Sequence, residues 1–121
     1  SIFYVDDDEN NLHALGALMD NWGCSYASAI SYKAALVYAR EHPAPDVILM
    51  DYQLGTDGNG IELATTLKET WPETPVCIVS AAPNDELLKL IDQRRYGFLR
   101  KPIKPGKLRA LLEKYLERKS R

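Results

Sequence analysis

The chain has 121 residues, of which 45% are hydrophobic and 26% are charged, and its formal net charge is −2. These proportions are those of an ordinary globular domain and exclude a disordered or fibrous chain. The length suits one domain with one hydrophobic core. The near-neutral charge gives no support to nucleic-acid binding, and no signal peptide or membrane-spanning apolar run is visible.

The first half of the chain alternates between strand and helix patterns. Residues 2–5 are apolar throughout and predict strand one, and apolar residues at three- and four-residue steps over residues 12–22 predict a helix. Residues 24–29 are a more polar strand candidate. Residues 31–42 predict a second helix with Ser31 as its N-cap.

The second half continues the same alternation. Residues 47–50 and 76–79 are apolar throughout, which is typical of strands buried on both faces of a parallel sheet. Residues 96–100 are more polar and predict an edge strand. The helical patterns in this half cover residues 61–68, 85–93 and 108–116.

Strand–helix alternation predicts an α/β fold with a parallel sheet and helices on both faces. The more polar strands, two and five, fit the edges of a five-stranded sheet in the flavodoxin-like order 2-1-3-4-5. In such a sheet ligands bind at the carboxyl ends of the strands, near the switch point between strands one and three.

Polar residues follow four of the predicted strands at that end of the sheet. Carboxylates that lie close together repel each other, so we expect a cation among them, and Mg²⁺ takes carboxylate ligands and coordinates phosphates. A carboxylate can accept a phosphoryl group as an aspartyl phosphate, and neighbouring cations neutralise the transferred charge. These strand-end residues are Asp6, Asp7 and Asp8 after strand one, Asp51 after strand three, Ser80 after strand four and Lys101 after strand five.

Four motifs together resemble the receiver domain of response regulators, and the resemblance covers nearly the whole chain. It implies a single receiver domain over residues 1–121. The motifs are Val5-Asp6-Asp7, Ile48-Leu49-Met50-Asp51, Ile78-Val79-Ser80-Ala81 and Phe98-Leu99-Arg100-Lys101-Pro102.

The resemblance implies that Asp51 takes a phosphoryl group from the phosphohistidine of a histidine kinase or histidine phosphotransfer domain. Asp7 and Asp51 would contact Mg²⁺ directly, Asp6 would act mainly through water, and the backbone carbonyl of Gln53 would complete the protein ligands. The domain would be a signalling phosphoacceptor with slow self-dephosphorylation rather than an enzyme that turns over a substrate.

The resemblance also implies a conformational switch. Ser80 and Lys101 would contact the phosphoryl group, Phe98 would turn inward, and the Lys101-Pro102 bond would be cis. The surface of helix four, strand five and helix five would change and could form a homodimer. No direct contact with nucleic acid or a membrane is expected.

Two features depart from the family pattern. Gly55 stands where receivers commonly have a proline, and the loop over residues 55–60 is one residue longer than usual, so we expect it to be flexible. A degenerate receiver that acts only as a binding module is one alternative. A phosphatase with an aspartyl-phosphate intermediate is another, although such enzymes place a second acid where this chain has Gln53.

The wider protein and its location are also matters of expectation. The segments Trp22-Gly23-Cys24 and Lys101-Pro102-Ile103-Lys104-Pro105 look most like receivers at the C-terminal end of hybrid histidine kinases. The chain opens on an apparent central strand, so we expect one domain of a longer protein. Cys24 and Cys77 lie in apolar runs without a Cys-x-x-Cys pairing, which predicts buried thiols in a reducing cytoplasm.

Overall fold

A computed structural model describes the backbone of residues 1–120 and the side chains of residues 1–116. Strand and helix alternate five times, as the sequence predicts. The elements are β1 (Ile2–Val5), α1 (Glu9–Trp22), β2 (Tyr26–Ala29), α2 (Tyr32–Glu41), β3 (Val47–Asp51), α3 (Gly60–Thr70), β4 (Val76–Ser80), α4 (Asp85–Gln93), β5 (Gly97–Arg100) and α5 (Pro105–Ser120).

The five strands form one parallel sheet in the order β2-β1-β3-β4-β5. The predicted flavodoxin-like order is therefore confirmed, and the switch point lies between β1 and β3. Every residue of β1, β3 and β4 is buried, whereas β2 and β5 are partly exposed. The polar character of the two outer strands was thus a sound indicator of the sheet edges.

Helices cover both faces of the sheet because successive strand side chains point to opposite sides. One hydrophobic cluster contains Phe3, Ile48 and Ile78 with residues of α2, α3 and α4. The other contains Leu49 and Val79 with residues of α1 and α5. Among the described residues, no helix is long and apolar enough to cross a lipid bilayer.

The ends of the first helix show how local chemistry sets the boundaries. Asp8 caps α1 by accepting a hydrogen bond from the backbone N–H of Asn10. At the other end Gly23 adopts a left-handed conformation (φ 69°), and the N–H of Cys24 bonds to the carbonyl of Met19. The prediction of strand two over residues 24–29 was wrong for its first two residues, because Cys24 belongs to this cap and is only half-buried.

Two further caps follow the sequence pattern. Ser31 caps α2 by accepting the N–H of Ala34, as predicted. Asn59 and Glu62 form a capping box at the start of α3. The last helix begins at Pro105, three residues before its first predicted apolar position, because a proline fits the first helical turn without losing a hydrogen bond.

Candidate functional site

The carboxylates named from the sequence meet at the carboxyl end of the two central strands. Val5 pairs with Met50 across the sheet, so Asp6 and Asp51 follow on neighbouring strands. Their exposed fractions are 0% and 4%, whereas Asp7 is exposed. One carboxylate oxygen from each of the three residues lies within 4.8 Å of the other two.

The ammonium group of Lys101 lies between the two buried carboxylates. Its Nζ is 3.1 Å from Oδ2 of Asp6 and 3.2 Å from Oδ1 of Asp51. Burial alone would lower the pKa of this ammonium group, but the hydrogen bonds and charges of the two carboxylates raise it above its ordinary value. Lys101 is therefore a permanent cation in the site. The Lys101-Pro102 bond is cis, as the resemblance implied.

The Asp6 carboxylate accepts hydrogen bonds from four donors. Oδ2 accepts from the Tyr4 hydroxyl at 2.7 Å, from Asn11 Nδ2 at 3.2 Å and from Lys101 Nζ. Oδ1 accepts from the backbone N–H of Asp8 at 2.9 Å. Burial would raise the pKa of Asp6, but the hydrogen bonds from Asp8, Tyr4 and Lys101 outweigh it and hold the pKa below its usual value.

Tyr4 and Asn11 were not recognised as site residues from the sequence. Tyr4 lies inside an apolar strand, where an aromatic residue is ordinarily part of the core. Its pKa is raised well above the ordinary value, first by burial and then by the neighbouring carboxylate of Asp6, so the hydroxyl keeps its proton and acts as a donor. The available signal was its spacing, because residues two apart on a strand share a face.

Asp51 has the opposite electrostatic character to Asp6. Burial and then the negative charge of Asp6 raise its pKa from 3.8 to about 6, although Lys101 offsets part of this effect. An ionised Asp51 is therefore an electrostatically strained group that favours a further cation. All the acidic ligand atoms here are oxygens, which fits a hard divalent cation such as Mg²⁺.

The loop between β3 and α3 packs closely behind Asp51. The N–H of Gly60 donates to the carbonyl of Tyr52 at 2.7 Å, and a Cβ at Gly60 would collide with the Asp51 carbonyl oxygen. Gln53 pairs with Asn59 through an isolated bridge. Asp7 and Gln53, two of the predicted ligand residues, line the same open groove beside this loop.

Ser80 and Phe98 occupy the neighbouring strands. Asp51 pairs with Val79, so Ser80 lies one residue further along β4 at the same end of the sheet. The backbone carbonyl of Ser80 accepts the N–H of Lys101 at 3.0 Å. Phe98 pairs with Ile78 and is partly buried against the α2–α3–α4 cluster. Asp6, Asp51, Ser80 and Lys101 therefore lie at the carboxyl end of the sheet, whereas Phe98 lies two residues before the end of β5.

The 2-1-3-4-5 sheet is that of a flavodoxin-like domain, and this domain has buried carboxylates and an ammonium group at its switch point. Residues 2–113 match the family described as response regulator receiver domain. The chain belongs to this family.

Three relatives illustrate the similarity. The nitrogen assimilation regulatory protein NtrX of Azorhizobium caulinodans is 30% identical over 120 residues, covering 96% of this chain and 26% of that protein. The crystal structure of the receiver domain of NtrX from Brucella abortus has a TM-score of 0.86 and 27% identity, covering 97% and 98% of the two chains. Hybrid signal transduction histidine kinase L of Dictyostelium discoideum is 25% identical over 122 residues, covering 94% and 7%.

The family membership defines the general activity. Receiver domains take phosphoryl groups from histidine kinases or phosphotransfer domains, and this chain is a phosphoacceptor domain of two-component signal transduction. The chain spans about a quarter of the length of the NtrX relatives that it matches.

Proposed function

We propose that Asp51 is the phosphoacceptor and that residues 1–121 form one receiver domain. The observation that carries this assignment is the position of Asp51 at the end of β3. It is buried, lies beside two other carboxylates and contacts the Lys101 ammonium group at 3.2 Å. Asp6 is less suited to the role because its carboxylate already accepts hydrogen bonds from four protein donors.

The proposed transfer forms a P–O bond to a carboxylate oxygen of Asp51 as the P–N bond to the donor histidine breaks. The electron pair of the broken bond stays with the imidazole nitrogen. Lys101 neutralises charge on one phosphoryl oxygen, and the Ser80 hydroxyl donates a hydrogen bond to another. Hydrolysis of the aspartyl phosphate would return the domain to its resting state slowly.

Asp7, Asp51 and the backbone carbonyl of Gln53 would hold Mg²⁺, with Asp6 acting mainly through water. When bound, the ion would supply positive charge beside the carboxylate and the phosphate oxygens. The proposed metal site is supported by three carboxylate oxygens that lie within 4.8 Å of one another. Burial and the negative charge of Asp6 raise the pKa of Asp51, which favours a further cation beside it.

The conformational response would begin at Ser80 and Phe98. Movement of Ser80 toward the phosphate would leave room for Phe98, which is only partly buried, to turn inward. The surface of α4, β5 and α5 would then change and support a homodimer or a downstream contact. A Ser80→Ala variant is expected to lose phosphorylation-dependent NMR shifts at Phe98, and unchanged shifts would contradict this switch.

The wider protein is proposed to be multidomain, with its phosphodonor a histidine kinase or phosphotransfer domain. A hybrid histidine kinase is one candidate because the chain is similar to part of such a kinase. A cytoplasmic location is supported by the two free thiols, Cys24 and Cys77, which suit a reducing compartment.

The direct test is the intact mass of the protein after incubation with acetyl phosphate and Mg²⁺. Wild type is expected to gain one phosphoryl group, and Asp51→Asn is expected to gain none. Asp57→Asn, an exposed acid in the neighbouring loop, is the matched control and should behave as wild type. Chelation of the divalent cation should abolish the gain.

Failure of folded wild type to gain a phosphoryl group would favour the binding-module alternative. Sustained release of inorganic phosphate from small phosphate esters would favour the phosphatase alternative instead. Gln53 argues against the phosphatase alternative, because its amide does not titrate and so cannot act as a general acid or base.

A further inference from the structure

Tyr4 joins the hydrophobic core to the acidic site. It lies in the middle of β1, its exposed fraction is 2%, and its ring belongs to the cluster covered by α1 and α5. Because Tyr4 and Asp6 are two residues apart, they share one face, and the phenol reaches Oδ2 of Asp6 at 2.7 Å. This is the shortest of the four hydrogen bonds to Asp6.

The oxygen that Tyr4 contacts is also the oxygen that holds Lys101. Oδ2 of Asp6 accepts from Tyr4, Asn11 and Lys101, while Oδ1 accepts from the Asp8 backbone. An ionised carboxylate offers about four acceptor positions. Three of the four donors share Oδ2, so this oxygen has no acceptor position left for direct coordination of a cation, whereas Oδ1 keeps about one position.

Each donor on a carboxylate oxygen also weakens the attraction of that oxygen for other positive groups. The Tyr4 hydroxyl therefore reduces the hold of Asp6 on the Lys101 ammonium group, which lies almost equally far from Asp51. A phosphoryl group on Asp51 can then recruit Lys101 more easily than if Asp6 held it alone.

We propose that Tyr4 is a positioning residue whose hydroxyl keeps Oδ2 of Asp6 out of direct metal coordination and leaves Lys101 available to the phosphoryl group. The inference rests on the proposed function of Asp51. It assigns Tyr4 a role that acts through Asp6 and involves no contact with the reacting atoms.

The test uses Tyr4→Phe, which removes only the hydroxyl. Binding of Mn²⁺, a paramagnetic divalent cation, is measured by electron paramagnetic resonance. The phosphorylation rate with acetyl phosphate and Mg²⁺ is measured by intact mass. Affinity for Mn²⁺ is expected to rise about fivefold and the phosphorylation rate to fall by a similar factor, the scale of one hydrogen bond.

These opposite changes separate a positioning role from a structural one. A variant whose site is merely loosened would lose both cation affinity and rate. Tyr26→Phe on the adjacent strand is the matched control, because its hydroxyl lies against Gly16 and away from Asp6, and it should change neither quantity. In an Asp6→Asn background, Tyr4→Phe should change the Mn²⁺ affinity by less than about twofold, because the two residues are coupled.

Asn11→Ala keeps the test decisive if Tyr4→Phe does not fold. Asn11, a half-buried residue of α1, donates to the same oxygen at the longer distance of 3.2 Å, so smaller changes in the same directions are expected. The inference is overturned if wild type takes a phosphoryl group while the variants lower both quantities or leave both unchanged. Wild type that neither binds Mn²⁺ nor is phosphorylated would overturn the proposed function first, and the inference with it.

Discussion

The two ends of the sheet differ in the polar side chains that they bury. Asp6, Asp51 and Ser80 are buried at the carboxyl end, and both acids depend on Lys101. At the amino end, the buried polar side chain in the described part of the chain is Thr74, a neutral group that bonds to a backbone carbonyl. The amino end closes the core, whereas the carboxyl end concentrates charge that the fold must hold in place.

The difference indicates that the domain loses stability at the carboxyl end, where the charged groups of the site are buried. Burial of an ion is unfavourable unless it is paired and hydrogen-bonded. Asp6 meets that condition with four donors, and its pKa is lowered. Asp51 does not meet it fully, because burial and the charge of Asp6 raise its pKa to about 6. Substitutions at the two ends should therefore differ in size, sign and dependence on pH.

The largest effect is expected from Lys101→Met, which keeps an apolar stem but removes the cation. Two buried carboxylates then lose their shared partner, so the free energy of unfolding at pH 8 should fall by about 4 kcal/mol. At pH 5 the loss should be smaller, since Asp51 is already largely protonated there. Urea denaturation at both pH values measures this, with the exposed Lys104→Met as control. An equal loss of stability at both pH values would contradict the raised pKa of Asp51.

Asp51→Asn should have the opposite sign in the metal-free protein. The pKa of Asp51 is higher in the folded state, so its favourable contribution is present below pH 3.8 and is lost as the pH rises through about 6. At pH 8 the variant should therefore be more stable than wild type, by up to about 3 kcal/mol. The advantage should vanish near pH 3.5. Thermal unfolding over this range is the measurement, and destabilisation at pH 8 would count against the raised pKa.

Binding of a divalent cation should stabilise the acidic site at the carboxyl end of the sheet. Mg²⁺ at about 30 times its Kd should stabilise wild type by roughly 2 kcal/mol. Asp51→Asn should gain less because it lacks one of the three carboxylates. Calorimetric melting with increasing Mg²⁺ would show this, and an equal gain in both proteins would exclude Asp51 as a ligand.

The smallest effect is expected at the amino end, from Thr74→Val. The Thr74 hydroxyl donates to the carbonyl of Pro45 at 3.4 Å, which is a long hydrogen bond. Its loss should lower stability by about 1 kcal/mol or less, and the change should be the same at pH 5 and pH 8 because no ionisable group is removed. A marked pH dependence would show that charge also matters at this end.

The sequence predicted much of this arrangement because strand ends and helix caps leave local signals. The buried runs ended at Asp6, Asp51 and Ser80, and the parallel order brought their ends together. The cap at Ser31 was also recognisable from its residue type. These features depend on the chemistry of a few adjacent residues, so they can be recognised without knowledge of the tertiary structure.

The hydrogen bonds around Asp6 could not be predicted in the same way. Tyr4 contributes an aromatic ring to the core and a hydroxyl to the site, and only tertiary packing decides where that hydroxyl points. Asn11 reaches Asp6 from the next helix, where an amide would ordinarily face solvent. The first two residues of predicted strand two were likewise lost to the α1 cap, because apolar content alone does not distinguish a strand from a capped turn.

The backbone bond between Ser80 and Lys101 has a consequence for timing. The Lys101 N–H donates to the Ser80 carbonyl, so the two side chains proposed to hold the phosphate are attached to one hydrogen-bonded pair of peptide groups. Movement of either side chain would therefore strain the same backbone hydrogen bond. Exchange of that single amide hydrogen with solvent would therefore report whether the edge opens before, during or after phosphorylation.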